Sequence, residues 1–188
     1  LVLPEGVPEM DKRKPIGCSS RRRQLQLKKL YPDFEIQSVR GNVQTRLRKL
    51  QEGQYCALVL AAAGLKRLGL EDRISRYFTV EEILPAAGQA ILAVQARAGT
   101  DVAPLAGFTD PNSTCCALAE RAFVRTLDGG CTSPVAAYAC VVGDDMEITG
   151  LYVSPDETVL RRGTTRGPKE QAEALGRSLA LELKGECL

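Results

Sequence analysis

Arginine side chains cluster where the first predicted helix begins. Arg21, Arg22 and Arg23 follow Ser19 and Ser20, which are both good helix caps. Cations at a helix N-terminus are disfavoured by about 0.3–1 kcal/mol each, and the free N–H groups there attract anions. A bound carboxylate or phosphate would explain the cluster, because guanidinium groups bind both in a bidentate manner. The alternative is a solvated basic surface.

Two further arginine sites follow the next two predicted strands. Arg40 and Arg46 flank a turn at residues 41–42, and Lys66 and Arg67 follow the third strand. In open α/β sheets, ligands bind beyond the carboxyl ends of the strands, so the three sites are expected at one edge. Together they predict a ligand that carries several negative charges.

A Gly-Gly-Cys sequence that ends at Cys131 is a second candidate for chemistry. Two glycines allow close approach to the thiol, although most isolated cysteines are small buried hydrophobic residues. The sequence has seven cysteines, no CxxC pair and no histidine. We therefore expect no metal site and no disulfide framework, and a reducing, cytoplasmic compartment. Without histidine, proton transfer would have to use Asp, Glu, Lys, Tyr or Cys.

Charge is distributed unevenly along the chain. Residues 1–80 contain 16 Lys and Arg against 8 Asp and Glu, whereas residues 81–188 contain 9 against 15. The basic half suggests an anionic partner. A nucleic-acid surface would need aromatic residues among the arginines, and none lies inside an arginine cluster. No apolar run approaches the roughly 18 residues of a membrane helix. Neither nucleic acid nor a membrane is therefore expected as a partner.

The elements that must position these residues alternate in the first half. Apolar periodicity and breakers predict strand, helix, strand, helix and strand, which implies a parallel α/β layer with right-handed connections. In chain order these are a short strand at 16–18, a helix to about residue 30, a strand at 34–39, a helix from 43 that is stopped by Gly53, a strand at 57–63 that is broken by Gly64, and a short helix after it.

The second half has a different pattern and predicts a separate small α+β domain. Residues 90–96 read as a strand buried on both faces, and a helix is expected over about 112–127. The period then changes to two over 135–142, 146–153 and 158–162, which predicts a three-stranded antiparallel sheet. Pro168 is expected to open the final helix.

Five stretches resemble the porphobilinogen deaminase family, also called hydroxymethylbilane synthase. They occur in the order and at the spacing of that family, over nearly the whole chain. The stretches are IGCSSRRRQ at 16–24, VRGNVQTRL at 39–47, LAAAGLKRLGL at 60–70, LPAAGQ at 84–89 and GGCTSP at 129–134.

The resemblance implies a division of the chain. It implies an α/β domain like half of a periplasmic binding protein over 1–88 and a small α+β domain over 109–188. It further implies that residues 89–108 return to a first domain that this sequence does not include. The activity implied is that of a transferase of tetrapyrrole (porphyrin and heme) biosynthesis. Such an enzyme joins four porphobilinogen units into hydroxymethylbilane on a dipyrromethane cofactor.

The resemblance also assigns roles to residues. Cys131 matches the cysteine that holds the dipyrromethane cofactor through a thioether, and Ser20 matches a serine that helps hold a cofactor carboxylate. The arginines that bind acetate and propionate side chains match Arg22, Arg23, Arg40, Arg46 and Arg67. This agrees with the residue-based interpretation, because each pyrrole brings two carboxylates.

The sequence departs from the family pattern in three small ways and one large one. Arg21 stands where many members have Leu, Ala90 stands where Gly is usual, and residues 132–133 replace a Gln-Val pair. The large departure is the absent first domain, which carries the catalytic aspartate in the family. We therefore expect the chain alone to be inactive and without its cofactor.

The absent domain also affects the expected partners. Porphobilinogen, polypyrrole intermediates and the absent domain are the partners that the resemblance implies. The intact family member is expected to be a monomer, whereas the apolar segment 90–96 of this chain is expected to self-associate. The competing hypothesis is a non-catalytic anion-binding α/β module, which gives no reason for the Gly-Gly-Cys sequence.

Overall fold

The computed structural model describes residues 1–129 and 133–186. These residues form two compact units, which are described separately. The first unit comprises Leu1–Ile83, and the second begins at Leu84.

The first unit is built on a three-stranded parallel sheet with the strand order β2-β1-β3. Ile16 in β1 lies opposite Ile36 in β2 and Ala57 in β3. The sequence-predicted parallel α/β layer is thus confirmed. The strands are β1 (Ile16–Gly17), β2 (Ile36–Gln37) and β3 (Ala57–Leu58), and the helices are α1 (Arg21–Leu30), α2 (Val43–Gln51) and α3 (Ala62–Arg67), followed by a 3₁₀ turn at Glu71–Arg73.

Local signals fix the ends of the first two helices. Ser20 is the N-cap of α1, although its side chain makes no capping hydrogen bond, and two lysines in the last turn of the helix complement its dipole. At the start of α2, Oδ1 of Asn42 accepts a hydrogen bond from the backbone N–H of Thr45 at 2.8 Å. Helix α1 therefore begins directly after the loop that contains Ser19 and Ser20, and α2 begins directly after the loop that contains Arg40.

Apolar side chains cover both faces of the parallel sheet. Leu47, Leu50 and Leu58 are buried in one cluster, while Ile16 and Leu27 are buried in the other. Each fully buried aliphatic side chain contributes about 1.5–3 kcal/mol relative to an exposed one. The sheet is consequently held between two apolar layers, and its strand ends are fixed by them.

Two predicted strands of this unit are shorter than the sequence suggested. The prediction over 57–63 was wrong beyond Leu58, because Ala62 and Ala63 belong to α3, which also contains Gly64. Alanine is the best helix former, and a short apolar run does not distinguish a buried strand from a buried helix. The strand predicted over 34–39 is likewise reduced to the two residues of β2.

The second unit pairs an antiparallel sheet with two helices, as predicted. The sheet order is β4-β5-β6, with Ala139 opposite Ile148 and Ile148 opposite Thr165. The elements are 3₁₀ turns at Ala103–Phe108 and Lys169–Gln171, helices α4 (Pro111–Thr126) and α5 (Ala172–Lys184), and strands β4 (Ala136–Val142), β5 (Asp145–Val153) and β6 (Leu160–Pro168).

Strand β6 is longer than the sequence predicted, and it changes the start of the last helix. All nine of its residues pair with β5, so Pro168 ends the strand instead of opening α5. The prediction missed this because glycine and arginine are poor strand signals. A Cβ atom at Gly163 would lie 2.9 Å from Leu183 Cδ2. The missing side chain lets α5 pack directly on the sheet.

The two helices of this unit approach each other closely. A Cβ atom at Gly176 of α5 would overlap the carbonyl oxygen of Ala119 in α4. Phe123 is fully buried beside the same contact and packs on Gly150 of β5. The small residues therefore allow α4, α5 and β5 to share one core.

Residues 90–96 do not form the buried strand that their apolar pattern predicted. Leu92 and Val94 are 79% and 70% exposed, and Phe108 nearby in the chain is 82% exposed. No strand within the described ranges pairs with this segment. The prediction was wrong because a strand also needs backbone hydrogen-bond partners, which an apolar pattern does not supply. The segment thus presents apolar side chains to solvent.

Ala90 adopts a backbone conformation that favours glycine, with φ of +74°. We expect Ala90→Gly to raise the free energy of unfolding of the chain by about 0.5–1 kcal/mol, because it relieves left-handed strain. Urea denaturation would measure the change. Ala93→Gly, in the same exposed segment but without positive φ, is the control and should not stabilise. Equal destabilisation by both changes would contradict the strain argument.

Candidate anion-binding site

The loops that follow β1 and β2 are joined by side-chain hydrogen bonds. The hydroxyl of Ser19 donates to the carbonyl oxygen of Val39, which follows β2. The amide nitrogen Nε2 of Gln24 donates to the carbonyl oxygen of Cys18 at 2.5 Å. The start of α1 is therefore tied to the end of its own strand, and that strand end is tied to its neighbour.

Three of the predicted arginines converge on the end of β1. Burial raises the pKa of the Cys18 thiol, and the charges of Arg23, Arg22 and Arg46 oppose that rise. All three guanidinium groups are thus close enough to the same buried thiol to influence it electrostatically. Two of them come from α1 and the third comes from α2. The structure brings together arginines that stand more than one element apart in the sequence.

The two arginines of α1 lie in unfavourable surroundings. Burial lowers the pKa of Arg22, and the neighbouring charge of Arg23 lowers it further. Burial also lowers the pKa of Arg23, with Arg46 adding to the effect. Arginine remains protonated in proteins, so this crowding costs free energy unless an anion balances it.

One atom of this cluster lacks a partner. Nε of Arg22 is buried and makes no hydrogen bond within the part of the chain that the structure describes. A buried charged donor that stays unpaired is costly, whereas a carboxylate oxygen would satisfy it. The donor set of three guanidinium groups therefore fits a ligand with several carboxylates.

Arg46 is oriented by its own loop. Its Nε donates to the carbonyl oxygen of Gly41 at 2.8 Å, which fixes the guanidinium group over the turn before α2. The carbonyl oxygen of Arg40 in the same turn accepts from Nζ of Lys49 at 3.2 Å. Both contacts hold the backbone of the turn in place. Arg46 is thereby preorganised, which lowers the cost of binding.

The remaining predicted residues are not among the three arginines that converge on Cys18. Arg40 and Arg67 are exposed, and Ser20 is half-buried at the N-cap of α1. Lys66, beside Arg67, is held by Glu71 at 2.9 Å and lies over the ring of Tyr77. The structure thus places Arg22, Arg23 and Arg46 together and leaves Arg40 and Arg67 open to solvent.

Cys131 lies outside the described residues, but the chain on both sides of it is described. The backbone N–H of Gly129 donates to the carbonyl oxygen of Val124 at 2.9 Å, just after α4. A Cβ atom at Gly129 would lie 2.7 Å from Cγ2 of Val135, just before β4. The two ends of the loop therefore meet, and glycine is required at this point.

Sequence reasoning missed Glu120, a buried acid in α4. It is 4% exposed, and burial raises the pKa of its carboxyl group. Its Oε2 accepts from the backbone N–H of Gly88 at 2.6 Å, and its Oε1 accepts from that of Ala139 at 2.8 Å. The signal that could have found it is an acidic residue on the apolar stripe that contains Ala119 and Phe123.

The other thiols differ in their surroundings. Cys18 and Cys56 are buried, whereas Cys115, Cys116 and Cys140 are half-buried, and all five are free. Burial, followed by the charge of Glu120, raises the pKa of Cys116 to about 11. A thiol with a raised pKa is a weak nucleophile at neutral pH because little thiolate is present.

None of the helices in the described ranges combines the length and apolarity needed to cross a membrane. Over the same residues, no group of three or more His, Cys, Asp or Glu side chains is arranged to hold a metal ion.

Comparison with known families identifies both halves of the chain. Residues 1–103 match a family model described as "Porphobilinogen deaminase, dipyromethane cofactor binding domain". Residues 114–185 match one described as "Porphobilinogen deaminase, C-terminal domain". The two matches cover both structural units.

Curated proteins with similar sequences carry the same name. A porphobilinogen deaminase of Alkaliphilus oremlandii is 53% identical over 186 residues, which are 99% of this chain and 62% of that protein. One of Acetivibrio thermocellus is 52% identical over 186 residues, 98% of this chain and 63% of that protein. One of Methylobacillus flagellatus is 45% identical over 170 residues, 89% of this chain and 55% of that protein. The chain thus spans about three fifths of the length of these relatives.

Proposed function

Because the chain belongs to the porphobilinogen deaminase family, we propose that its first unit binds the carboxylates of a dipyrromethane cofactor and of the pyrrole chain built on it. The whole protein would then condense four porphobilinogen units into hydroxymethylbilane. The observation that carries this proposal is the convergence of Arg22, Arg23 and Arg46 at the end of β1. Porphobilinogen brings two carboxylates per unit, so a cluster of guanidinium groups matches the repeating charge of the product.

Each arginine would have a distinct part in binding. Arg22 and Arg23, which are crowded and partly desolvated, would hold cofactor carboxylates, with Ser20 donating from the helix cap. Arg46 would bind from the α2 side, where its Nε is already fixed. Arg40 and Arg67 are exposed and would meet the acetate and propionate groups of later units.

The cofactor would be attached through Cys131. When bound, a dipyrromethane supplies the covalently held end from which further pyrrole units extend. Gly129 and Val135, the described residues on either side of this cysteine, approach each other closely. The free thiols among the described cysteines fit a reducing compartment, and we propose the cytoplasm.

Binding of a synthetic dipyrromethane tetracarboxylate, measured by calorimetry, tests the proposal. The free acid should bind, and its tetramethyl ester, which has the same rings but no charge, should not. The alternative function, a general anion-binding module, predicts that phosphate or sulfate binds as well as the dipyrrole. Equal affinity for phosphate and the tetracarboxylate would therefore favour the module.

Cys131 should be the cysteine that reacts fastest with a mild alkylating reagent. Cys115, Cys116 and Cys140 are half-buried on α4 and β4, and burial raises the pKa of Cys116 and Cys140. Peptide mass mapping over a time course would measure the rates, and the chain purified alone should carry no dipyrrole on Cys131. An adduct on any other cysteine would overturn the assignment.

We propose a division of the chain that follows the family resemblance. Residues 1–88 would form a domain like half of a periplasmic binding protein, which the strand order β2-β1-β3 supports. Residues 109–188 would form the cofactor-attachment domain. Residues 89–108, with exposed Leu92 and Phe108, would contact the part of the relatives that this chain does not cover.

The chain alone should self-associate through that apolar segment. An exposed apolar surface of this kind lowers its free energy by contact with another copy. Sedimentation equilibrium would measure the association, and Leu92→Ser should weaken it. Tyr77→Ser, which removes another exposed large side chain of the chain, is the control. A strictly monomeric chain at high concentration would contradict this expectation.

A further inference from the structure

The ladder between β1 and β2 predicts a hydrogen bond that the backbone does not make. The backbone N–H of Cys18 donates to the carbonyl oxygen of Gln37 at 2.8 Å, two residues after an equivalent bond from Ile16. Because the hydrogen bonds of a parallel ladder are evenly spaced and repeat every two residues, the next one would join the N–H of Ser20 to the carbonyl oxygen of Val39. The backbone of Ser20 makes no such bond to Val39.

The hydroxyl of Ser19 takes the place of that backbone N–H group. It donates to the carbonyl oxygen of Val39. Val39 is fully buried, so its carbonyl group would be costly to leave without a donor. Because the side chain of Ser19 supplies the donor, the backbone leaves the ladder at Ser20, which is the N-cap of α1. Helix α1 thus begins directly beyond β1, while the end of β1 stays joined to the end of β2.

The carbonyl group that Ser19 holds belongs to the turn that orients Arg46. Val39 is followed by Arg40 and Gly41, and the carbonyl oxygen of Gly41 accepts from Nε of Arg46 at 2.8 Å. The φ of Gly41 is +117°, a conformation that favours glycine and fixes the course of the turn. A short path of bonded groups therefore runs from the hydroxyl of Ser19 through three turn residues to the guanidinium group of Arg46.

The end of β1 is also tied to the first turn of α1, which carries the other two arginines of the cluster. Nε2 of Gln24 donates to the carbonyl oxygen of Cys18 at 2.5 Å, so α1 is held against the residue that precedes Ser19. Arg22 and Arg23 stand within the turn that this contact holds. Ser19 consequently lies between two fixed points, the arginines of α1 on one side and the turn before α2 on the other.

We propose that Ser19 is a positioning residue for the candidate anion-binding site, and that its hydroxyl sets the spacing between the guanidinium group of Arg46 and those of Arg22 and Arg23. The inference rests on the proposed function, because it concerns the same site. The carboxylates of one dipyrrole stand at limited separations, so binding several of them at once depends on guanidinium groups that are already correctly spaced. Ser19 acts through the carbonyl group of Val39 and the turn that follows it.

Two substitutions at Ser19 separate its hydroxyl from its shape. Ser19 is an exposed residue, so a methyl group added at Cβ has room. Threonine keeps the hydroxyl donor, whereas valine has nearly the same shape as threonine but no donor. Ser19→Thr and Ser19→Val are therefore a matched pair, in which a difference reports the hydrogen bond to Val39 rather than the bulk of the side chain.

Calorimetry of the 188-residue chain with the dipyrromethane tetracarboxylate tests the proposal. Ser19→Thr should bind like the unchanged chain, and Ser19→Val should bind about fivefold more weakly. When Arg46→Ala is already present, Ser19→Val should cost less than about twofold, because the group that it positions is gone. When Arg67→Ala is present instead, Ser19→Val should keep its full effect, since Arg67 follows a different strand. Ser75→Ala, which removes another hydroxyl of the first unit, is the control and should not change binding.

NMR of the free chain supplies a second measurement that needs no ligand. The amide nitrogen shift of Arg40 reports the hydrogen bond at the preceding carbonyl group, that of Val39, and the exchange rate of the Nε–H of Arg46 reports its contact with Gly41. Ser19→Val should move the first signal and make the second exchange severalfold faster, whereas Ser19→Thr should change neither.

The outcomes separate this inference from the proposed function. Equal losses of affinity in Ser19→Thr and Ser19→Val, or the same loss from Ser19→Val with and without Arg46, would overturn the positioning role. If the unchanged chain does not bind the tetracarboxylate, the proposed function fails, and the two NMR signals then decide whether Ser19 orients Arg46. Signals that stay unchanged in Ser19→Val would overturn the inference in either case.

Discussion

The 188-residue chain, purified by itself, is expected to consume no porphobilinogen. Its sequence contains no histidine, and the family resemblance assigns proton transfer to an aspartate in the part of the relatives that this chain does not cover. Arginines can bind carboxylates, but they cannot supply the proton transfer that the family resemblance assigns to that aspartate. General acid–base catalysis contributes typically 10²–10⁴-fold, and covalent attachment of the cofactor should fail as well. The expected loss is therefore complete on the scale of an ordinary assay.

A time course of porphobilinogen consumption makes this measurement, with the full-length porphobilinogen deaminase of Alkaliphilus oremlandii as the positive control. Adding the uncovered part of that relative as a separate polypeptide should restore activity if the two pieces associate. Turnover by the chain alone, at a rate near that of the full-length relative, would show that a titratable residue within these 188 residues performs the proton transfer.

Replacing Arg22 by alanine is expected to weaken binding of a dipyrromethane tetracarboxylate by tenfold or more. Nε of Arg22 is buried and unpartnered among the described residues, so the bound carboxylate would be its first acceptor. Hydrogen bonds to charged groups contribute about 1.5–3 kcal/mol, and 1.4 kcal/mol corresponds to a factor of ten. Arg40→Ala should also weaken binding, since Arg40 stands at the end of the neighbouring strand.

Two arginines of the second unit provide matched controls for calorimetry. Arg125 and Arg177 both lie near Glu173, at 3.8 and 3.2 Å, and both are largely exposed. Replacing either arginine by alanine removes the same charge from the chain but does not change the candidate anion-binding site. Equal losses from all four variants would indicate that net charge alone attracts the ligand and that the basic surface is merely solvated.

The site could be predicted from the sequence wherever the signal was local. Arginines directly after strand ends predicted an anion site, because parallel strands end at a common edge. The helical periodicity of Val43, Leu47 and Leu50 predicted α2, which the structure confirms. Convergence of Arg46 with the α1 arginines followed from that topology rather than from any motif.

The parts that could not be predicted depend on distant partners. Residues 57–63 and 90–96 have the same apolar character, yet only Ala57 and Leu58 find strands to pair with. The length of β6 depends on its pairing with β5. Glycines such as Gly163 weaken the strand signal in the sequence, so this length could not be predicted. Glu120 was missed because the two backbone N–H groups that donate to its carboxylate, those of Gly88 and Ala139, lie far from it in the chain. Cys131 lies outside the described residues, so its predicted role stays a prediction.

The contact between Gly176 and Ala119 limits which sequences this helix pair can accept. Any side chain at position 176 would project into the backbone of the facing helix, where no rotamer offers an escape. Sliding one helix by a single residue would rotate a different side chain into the same gap, so the pair has one permitted alignment. The glycine at position 176 therefore sets the axial register of α5 against α4. A variant there would be damaging through the alignment of the two helices alone.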